Sequence, residues 1–333
     1  MTDQSKIPLP PRFAAPSATA SGPSLIERAS GSFDFRTLTR PVMADLPPAP
    51  APAPAQAPAP APVAAAPVAT PAPFAPPPPE PIVAVSRFSG AYHKIDREHL
   101  REQCIIEPES AVTGTLEEFR IIKRQLLRVA AESRAGKGGP HGERILIASA
   151  HSGEGKTFCA VNLAISIAAE KDNEVLLIDA DFAKPSVLST LGLPGGKGLM
   201  DALADPSLPV EDCVIGTDIA GLYVLPAGNA TGSDTEYLAS ARTNAVLDRL
   251  TAHSPNRIVI FDSPPVLAAS PATVLANHVG QTVMIVRADV TGEAALRDAV
   301  GLLGACDDIK LLLNGTRFST TGRRFGTYYG YKE

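Results

Sequence analysis

Tryptophan is absent from this 333-residue chain, aromatic residues make up 5% of it, and cysteine occurs four times. Cys104, Cys159, Cys213 and Cys306 lie far apart and form no CxxC pair. That spacing excludes a zinc site and a disulfide scaffold and fits structural thiols of a reduced compartment. No apolar run approaches the ~20 residues that span a bilayer. Met1 to Pro11 has neither a basic n-region nor an apolar h-region, so no secretory signal is expected. Positive charge is scarce as well. The formal net charge is −5, which argues against the net basic face of a general nucleic-acid binder. No internal repeat is found. Residues 1–90 hold only 11 charged side chains, six basic and five acidic.

Proline is abundant and unevenly placed. Of the 33 prolines, 22 lie in residues 1–81 and 17 of these in residues 41–81, mostly as Ala-Pro alternation. Proline lacks the amide donor and fixes φ, so this stretch supports neither helix nor sheet. It reads as a semi-stiff polyproline-II spacer, and residues 1–90 as a disordered Pro/Ala-rich tail and linker. Ser24 to Ala29 reads either as an incidental apolar turn or as a short docking peptide. Deleting residues 1–85 is expected to leave the melting temperature nearly unchanged, because so few large apolar residues are there to be buried. A large drop in thermal denaturation would make the tail part of the fold.

Residues 91–316 read as one α/β domain. Thr115 with Glu118 resembles a capping box. It opens a helix with Phe119, Ile122, Leu126 and Val129 on one face and Glu117, Arg120, Lys123 and Arg124 on a charged face. Strands are expected at Arg144–Ala148, Glu174–Ala180, Leu222–Pro226, Arg257–Asp262, Gln281–Val286 and Ile309–Leu313. Helices are expected at Thr157–Glu170, Glu236–His253 and Glu293–Cys306. Continuous apolar strands imply a mainly parallel sheet flanked by helices. Residues 317–333 read as a flexible tail containing Tyr328, Tyr329 and Tyr331.

Ala150-His-Ser-Gly-Glu-Gly-Lys-Thr157 follows a strand and opens a helix, the setting of a phosphate loop. Ala150 stands where the first glycine is usual. Gly153 and Gly155 let backbone amides approach phosphates, and the helix N-terminus adds positive potential. Ser152, Glu154 and Phe158 complete the expected ATP-binding stretch. Lys156 is expected to neutralise phosphate oxygens and the Thr157 hydroxyl to bind Mg²⁺. Asp179 and Asp181 at the end of one strand, and Asp262 at the end of another, supply carboxylates suited to a hard cation. The terminal tyrosines read either as a packed aromatic patch or as an autophosphorylation cluster.

Three stretches, Ser152 to Thr157, Leu177-Ile-Asp-Ala-Asp181 and Ile260-Phe-Asp-Ser-Pro-Pro265, resemble the deviant phosphate-loop ATPases related to the MinD and ParA proteins. His151 stands where those proteins carry a lysine. The combination resembles more closely the bacterial tyrosine kinases of capsular and exopolysaccharide systems. Glu118 to Arg124, Leu199-Met-Asp201 and the Tyr328–Tyr331 ending look like the exosortase-associated autokinases. The resemblance implies a catalytic set of Lys156, Asp179, Asp181 and Asp262, with one of the paired aspartates activating the tyrosine hydroxyl. It implies Mg²⁺ at Thr157, Asp179 and Asp262, and Asn314 reading the adenine edge. Tyr328, Tyr329 and Tyr331 become acceptors. A Glu-x-x-Arg-x-x-Arg assembly motif maps to Glu117, Arg120 and Lys123, with lysine in the third position. Ala183 stands where an arginine often follows the aspartate pair. It further implies a homo-oligomeric ring, ATP and Mg²⁺ as cofactors, and a separate membrane chain-length regulator as activator. A phosphotyrosine phosphatase is the implied antagonist, and the implied location is the cytoplasm at the inner membrane. A MinD/ParA-like ATPase switch and a non-catalytic nucleotide-binding scaffold remain alternatives.

Overall fold

The structure, a computed structural model, describes residues 88–110, 112–251 and 254–316. The Pro/Ala-rich stretch, apart from its last residues Phe88 to Gly90, and the tyrosine tail lie outside the described residues. An eight-stranded sheet forms the frame. Its strands are β1 (Tyr92–His93), β2 (Arg144–Ser149), β3 (Glu174–Asp179), β4 (Ile215–Thr217), β5 (Leu222–Leu225), β6 (Arg257–Asp262), β7 (Gln281–Arg287) and β8 (Ile309–Asn314). They run in the order β1-β4-β5-β3-β6-β2-β7-β8. Every pairing is parallel except β4 with β5.

The central strands alternate between two cores, as a period of two requires. Leu146, Ile178, Phe261 and Met284 face one side; Ile147, Leu177, Ile260 and Ile285 face the other. Both faces are covered, which is why these strands read as unbroken apolar runs. The second core is closed by helix α1 (Arg97–Glu102), helix α2 (Gly114–Arg134) and the apolar helix α3 (Lys156–Ala168), with the short α4 (Val187–Leu191) at its edge. The first is closed by α5 (Leu199–Ala204), α6 (Asp234–Leu238), α7 (Ala241–Thr251), α8 (Pro271–Leu275) and α9 (Glu293–Leu302).

Several sequence expectations change here. α2 is capped by Thr113, whose hydroxyl accepts the Leu116 amide at 3.2 Å, not by Thr115. The helix expected over Glu236–His253 is two helices. Between them the Ser240 and Thr243 hydroxyls both bond the Tyr237 carbonyl, satisfying with side chains what a continuous helix would satisfy with backbone. Lys123 does not lie on an exposed charged face. It is 6% exposed, and its ammonium donates to the Ser166 carbonyl at 2.7 Å and pairs with Glu170 at 3.1 Å. The α2 helix is thereby fixed to the C-terminal end of α3. Packing begins at Phe88, whose ring lies 4.9 Å from that of Tyr223 with the Arg257 guanidinium 4.2 Å above it.

Candidate active site

The register of the sheet assembles the site. Asp179 of β3 and Asp262 of β6 are direct partners, and Asp262 also pairs with Ile147 of β2. Three adjacent strands therefore deliver two carboxylates and the start of the Ala150–Thr157 loop to one edge, the carboxyl end of a parallel sheet where α/β proteins bind ligands.

The loop is held by polar contacts along its length. The Ser149 hydroxyl donates to the His151 carbonyl at 2.7 Å, and the His151 amide donates to Glu154 Oε2 at 2.8 Å. The Thr291 hydroxyl donates to the other Glu154 oxygen. Arg287 Nη1 reaches the Gly153 carbonyl at 3.0 Å. Gly155 sits at φ +97° and Gly153 at φ +77°, a region that side chains other than glycine's rarely adopt. A Cβ at 155 would also fall 2.2 Å from the Asn314 side-chain nitrogen, which would then have to move. That nitrogen donates to the Glu154 carbonyl at 2.9 Å, so Asn314 rests on the phosphate loop itself.

Lys156 opens α3 and is 7% exposed. Its ammonium donates to Ser149 Oγ at 3.1 Å. Burial depresses its pKa, while the charges of Asp262, Asp181 and Glu154 oppose that shift. The first amides of α3, including that of Phe158, have no helical acceptor. The Phe158 ring points away, 6.3 Å from Phe119 and against the second core.

Thr157 donates to Asp262 Oδ2 at 2.6 Å and lies 2.9 Å from the Ser186 hydroxyl. Asp262 is buried, and its Oδ1 has no hydrogen-bond partner. Burial raises its pKa to about 7 against the Thr157 hydrogen bond. Burial likewise lifts Asp179 to about 6, opposed by three amides. Those amides are Ser186 at 2.9 Å and Val187 at 3.0 Å on Oδ2, and Asp181 at 3.2 Å on Oδ1. Asp179 therefore anchors the start of α4. Asp181 is half-buried at the rim, where its Oδ1 accepts the Lys184 amide at 3.1 Å.

Among the described residues no three His, Cys, Asp or Glu side chains converge as a metal cage. Mg²⁺ seldom needs one, since it keeps waters and phosphate oxygens. The unpartnered Asp262 oxygen beside the Thr157 hydroxyl fits such a cation.

The structure brings Ser152 to Phe158, Asp179, Asp181, Asp262 and Asn314 to one edge. Glu117 and Arg120 pair with each other on α2. Sequence reasoning missed Ser149, Ser186, Arg287 and Thr291. Ser149 and Arg287 are the polar residues at the carboxyl ends of apolar runs in β2 and β7, a signal that could have marked them. Ser186 and Thr291 sit in loops and carry no such mark.

An AAA domain family model matches residues 142–296. Tyrosine-protein kinase YwqD of Bacillus subtilis is 32% identical over 191 residues, 57% of this chain and 78% of that protein. Tyrosine-protein kinase wzc of Salmonella typhi is 31% identical over 191 residues, 57% of this chain, and the chain spans only 26% of its length. The kinase domain of Escherichia coli tyrosine kinase ETK superposes with a TM-score of 0.56 at 22% identity, covering 73% of this chain and 94% of that domain. A site with this geometry, on this fold and with these relatives, places the chain in the bacterial tyrosine-protein kinase family.

Proposed function

We propose that this protein is an ATP-dependent protein-tyrosine autokinase that phosphorylates its own Tyr328, Tyr329 and Tyr331 and regulates polymerisation or export of an exopolysaccharide. The observation that carries this reading is the pairing of Asp179 with Asp262 beside a phosphate loop, together with the kinase relatives.

The chemistry asks mainly for positioning and charge neutralisation. The tyrosine oxygen bonds to the γ-phosphorus of ATP, the bond to the β-phosphate oxygen breaks, and ADP leaves. Lys156 and the first amides of α3 neutralise charge on the transferred group. Thr157 and Asp262, with Asp179 beside them, would hold Mg²⁺, which when bound shields the phosphates. Both Asp179 oxygens are occupied by amides, whereas Asp181 Oδ2 makes no hydrogen bond among the described residues. We therefore assign the tyrosine proton to Asp181 and the holding of the acceptor-side loop to Asp179. Asn314 and Arg287 mark the opposite, adenine side of the cleft.

The acceptor tail belongs to a neighbouring subunit in this reading, within a ring seated on Glu117 and Arg120. Among the described residues no helix is long and apolar enough to cross a membrane. We assign membrane contact to a separate chain-length-regulating membrane protein that acts as activator, and reversal to a phosphotyrosine phosphatase. The protein would thus work in the cytoplasm, peripheral to the inner membrane. Mass spectrometry of the C-terminal peptide after incubation with ATP and Mg²⁺ tests the proposal, and phosphate on those tyrosines is expected. ADP release without phosphotyrosine would favour an ATPase switch, and ATP binding without turnover a scaffold.

A further inference from the structure

On the acceptor side of Asp179 lies a cavity of about 330 Å³. Leu188, Leu193 and Pro226 give it apolar walls, Asp179 lies at its inner end, and Gly195 and Gly196 form part of its rim. A Cβ at either rim glycine would meet nothing within 4 Å, so an incoming backbone can approach there. An apolar slot that ends at Asp179, two residues along the chain from the Asp181 carboxylate, fits a flat ring carrying a hydroxyl at its tip. A serine or threonine side chain would leave the apolar walls uncovered, and a free phosphate would meet the Asp179 charge.

The rear wall is made by two loops joined by Asp201 and by two backbone hydrogen bonds. Asp201 Oδ2 accepts the Gly198 amide at 2.8 Å and the Asn229 amide at 3.3 Å, and Oδ1 accepts the Asn229 side chain at 2.7 Å. Beside this clasp, Leu199 N donates to the Pro226 carbonyl at 2.8 Å and Met200 N to the Ala227 carbonyl at 2.9 Å. The approach is too close for side chains. A Cβ at Gly198 would lie 2.1 Å from the Pro226 oxygen, and one at Gly228 (φ +82°) 2.5 Å from Asp201 Oδ2. Asp201 does not line the cavity; it caps the helix that follows the 195–196 rim and bonds Asn229, which follows the 226–228 wall.

We infer that this cavity seats the phenol of the phosphoryl acceptor and that Asp201 is its positioning residue, setting the wall against which the ring lies. The inference rests on the tyrosine-kinase reading and adds where the acceptor sits and what shapes its seat.

The test uses the full-length Lys156→Met protein as acceptor at rising concentration, with wild type, Asp201→Ala, Asp201→Asn and Gly196→Trp as enzymes. Loosening a reacting group by a fraction of an ångström suffices for a roughly tenfold effect. Asp201→Ala should therefore need about ten times more acceptor for half-maximal rate, with ATP affinity held within about twofold. Asp201→Asn should recover most of the loss, because its oxygen keeps both backbone amides and Asn229 can turn its own oxygen inward. Gly196→Trp, whose Cβ would meet nothing within 4 Å, should block transfer while ATP binding and hydrolysis to water persist. Unchanged acceptor dependence in Asp201→Ala and Gly196→Trp would overturn the inference and leave the kinase reading intact. So would an equal loss of ATP affinity in Asp201→Ala, which would make the residue merely structural. If Asp201→Ala fails to fold, Gly196→Trp decides alone. A wild type that binds ATP but makes no phosphotyrosine would instead remove the kinase reading, and this inference with it.

Discussion

Lys156→Met is expected to lower phosphotyrosine formation by at least roughly 10²–10³-fold, the cost of removing one charged donor from a site of developing negative charge. The fold should not suffer. The lysine stem is already buried, its ammonium makes a single hydrogen bond among the described residues, to Ser149, and burial depresses its pKa. The folded protein thus holds that charge against a desolvation penalty, and a thioether of similar length removes the penalty with the charge. Immunoblotting for phosphotyrosine beside a thermal melt separates the two effects. Retained phosphorylation would place the phosphate site elsewhere, and a collapsed melt would make the lysine structural.

Reversing charge on α2 is expected to divide sharply between two neighbours one turn apart. Lys123→Glu puts a carboxylate against the Ser166 carbonyl and Glu170 at a position closed to water. Breaking a fully buried pair in this way costs about 3–5 kcal/mol; with Glu170 37% exposed the lower end applies, a drop in melting temperature on the order of 10 °C for a domain of this size. Arg120→Glu should leave the melt within a few degrees, since that side chain is 41% exposed and its partner Glu117 lies on its own helix. If α2 carries a subunit interface, Arg120→Glu alone should slow sedimentation and make autophosphorylation depend on concentration. Equal melts for the two variants would remove the structural role assigned to Lys123. Unchanged sedimentation of Arg120→Glu would remove the interface from this face.

How legible the molecule is in its sequence depends on how far each element is decided by its own residues. β6 is expected and observed at Arg257–Asp262, because a fully buried strand needs an apolar run that nothing else in a soluble domain explains. The phosphate loop is equally legible, since its glycines and its following helix are local requirements. The two-residue β1 and three-residue β4 carry no pattern of their own and exist only because their neighbours offer a sheet edge. Lys123 misleads for a related reason: a lysine at helical spacing among charges looks solvated, and only the carbonyl at the end of α3 shows that it is not. Asp201 stands in a recognisable motif and caps Gly198 three residues before it, but its task also depends on Asn229, which meets it only in space.

The Lys123 contact also makes α2 and α3 move as one body. α3 is a helix of 13 residues, about 20 Å long at 1.5 Å per residue. Its far end receives the Lys123 ammonium, and its near end begins at Lys156. Phe119 against Phe158 fixes the same two helices a second time near the loop. A shove delivered to the outside of α2 therefore arrives at the phosphates with little compliance in between, and a tightly held nucleotide stiffens the outer helix in return.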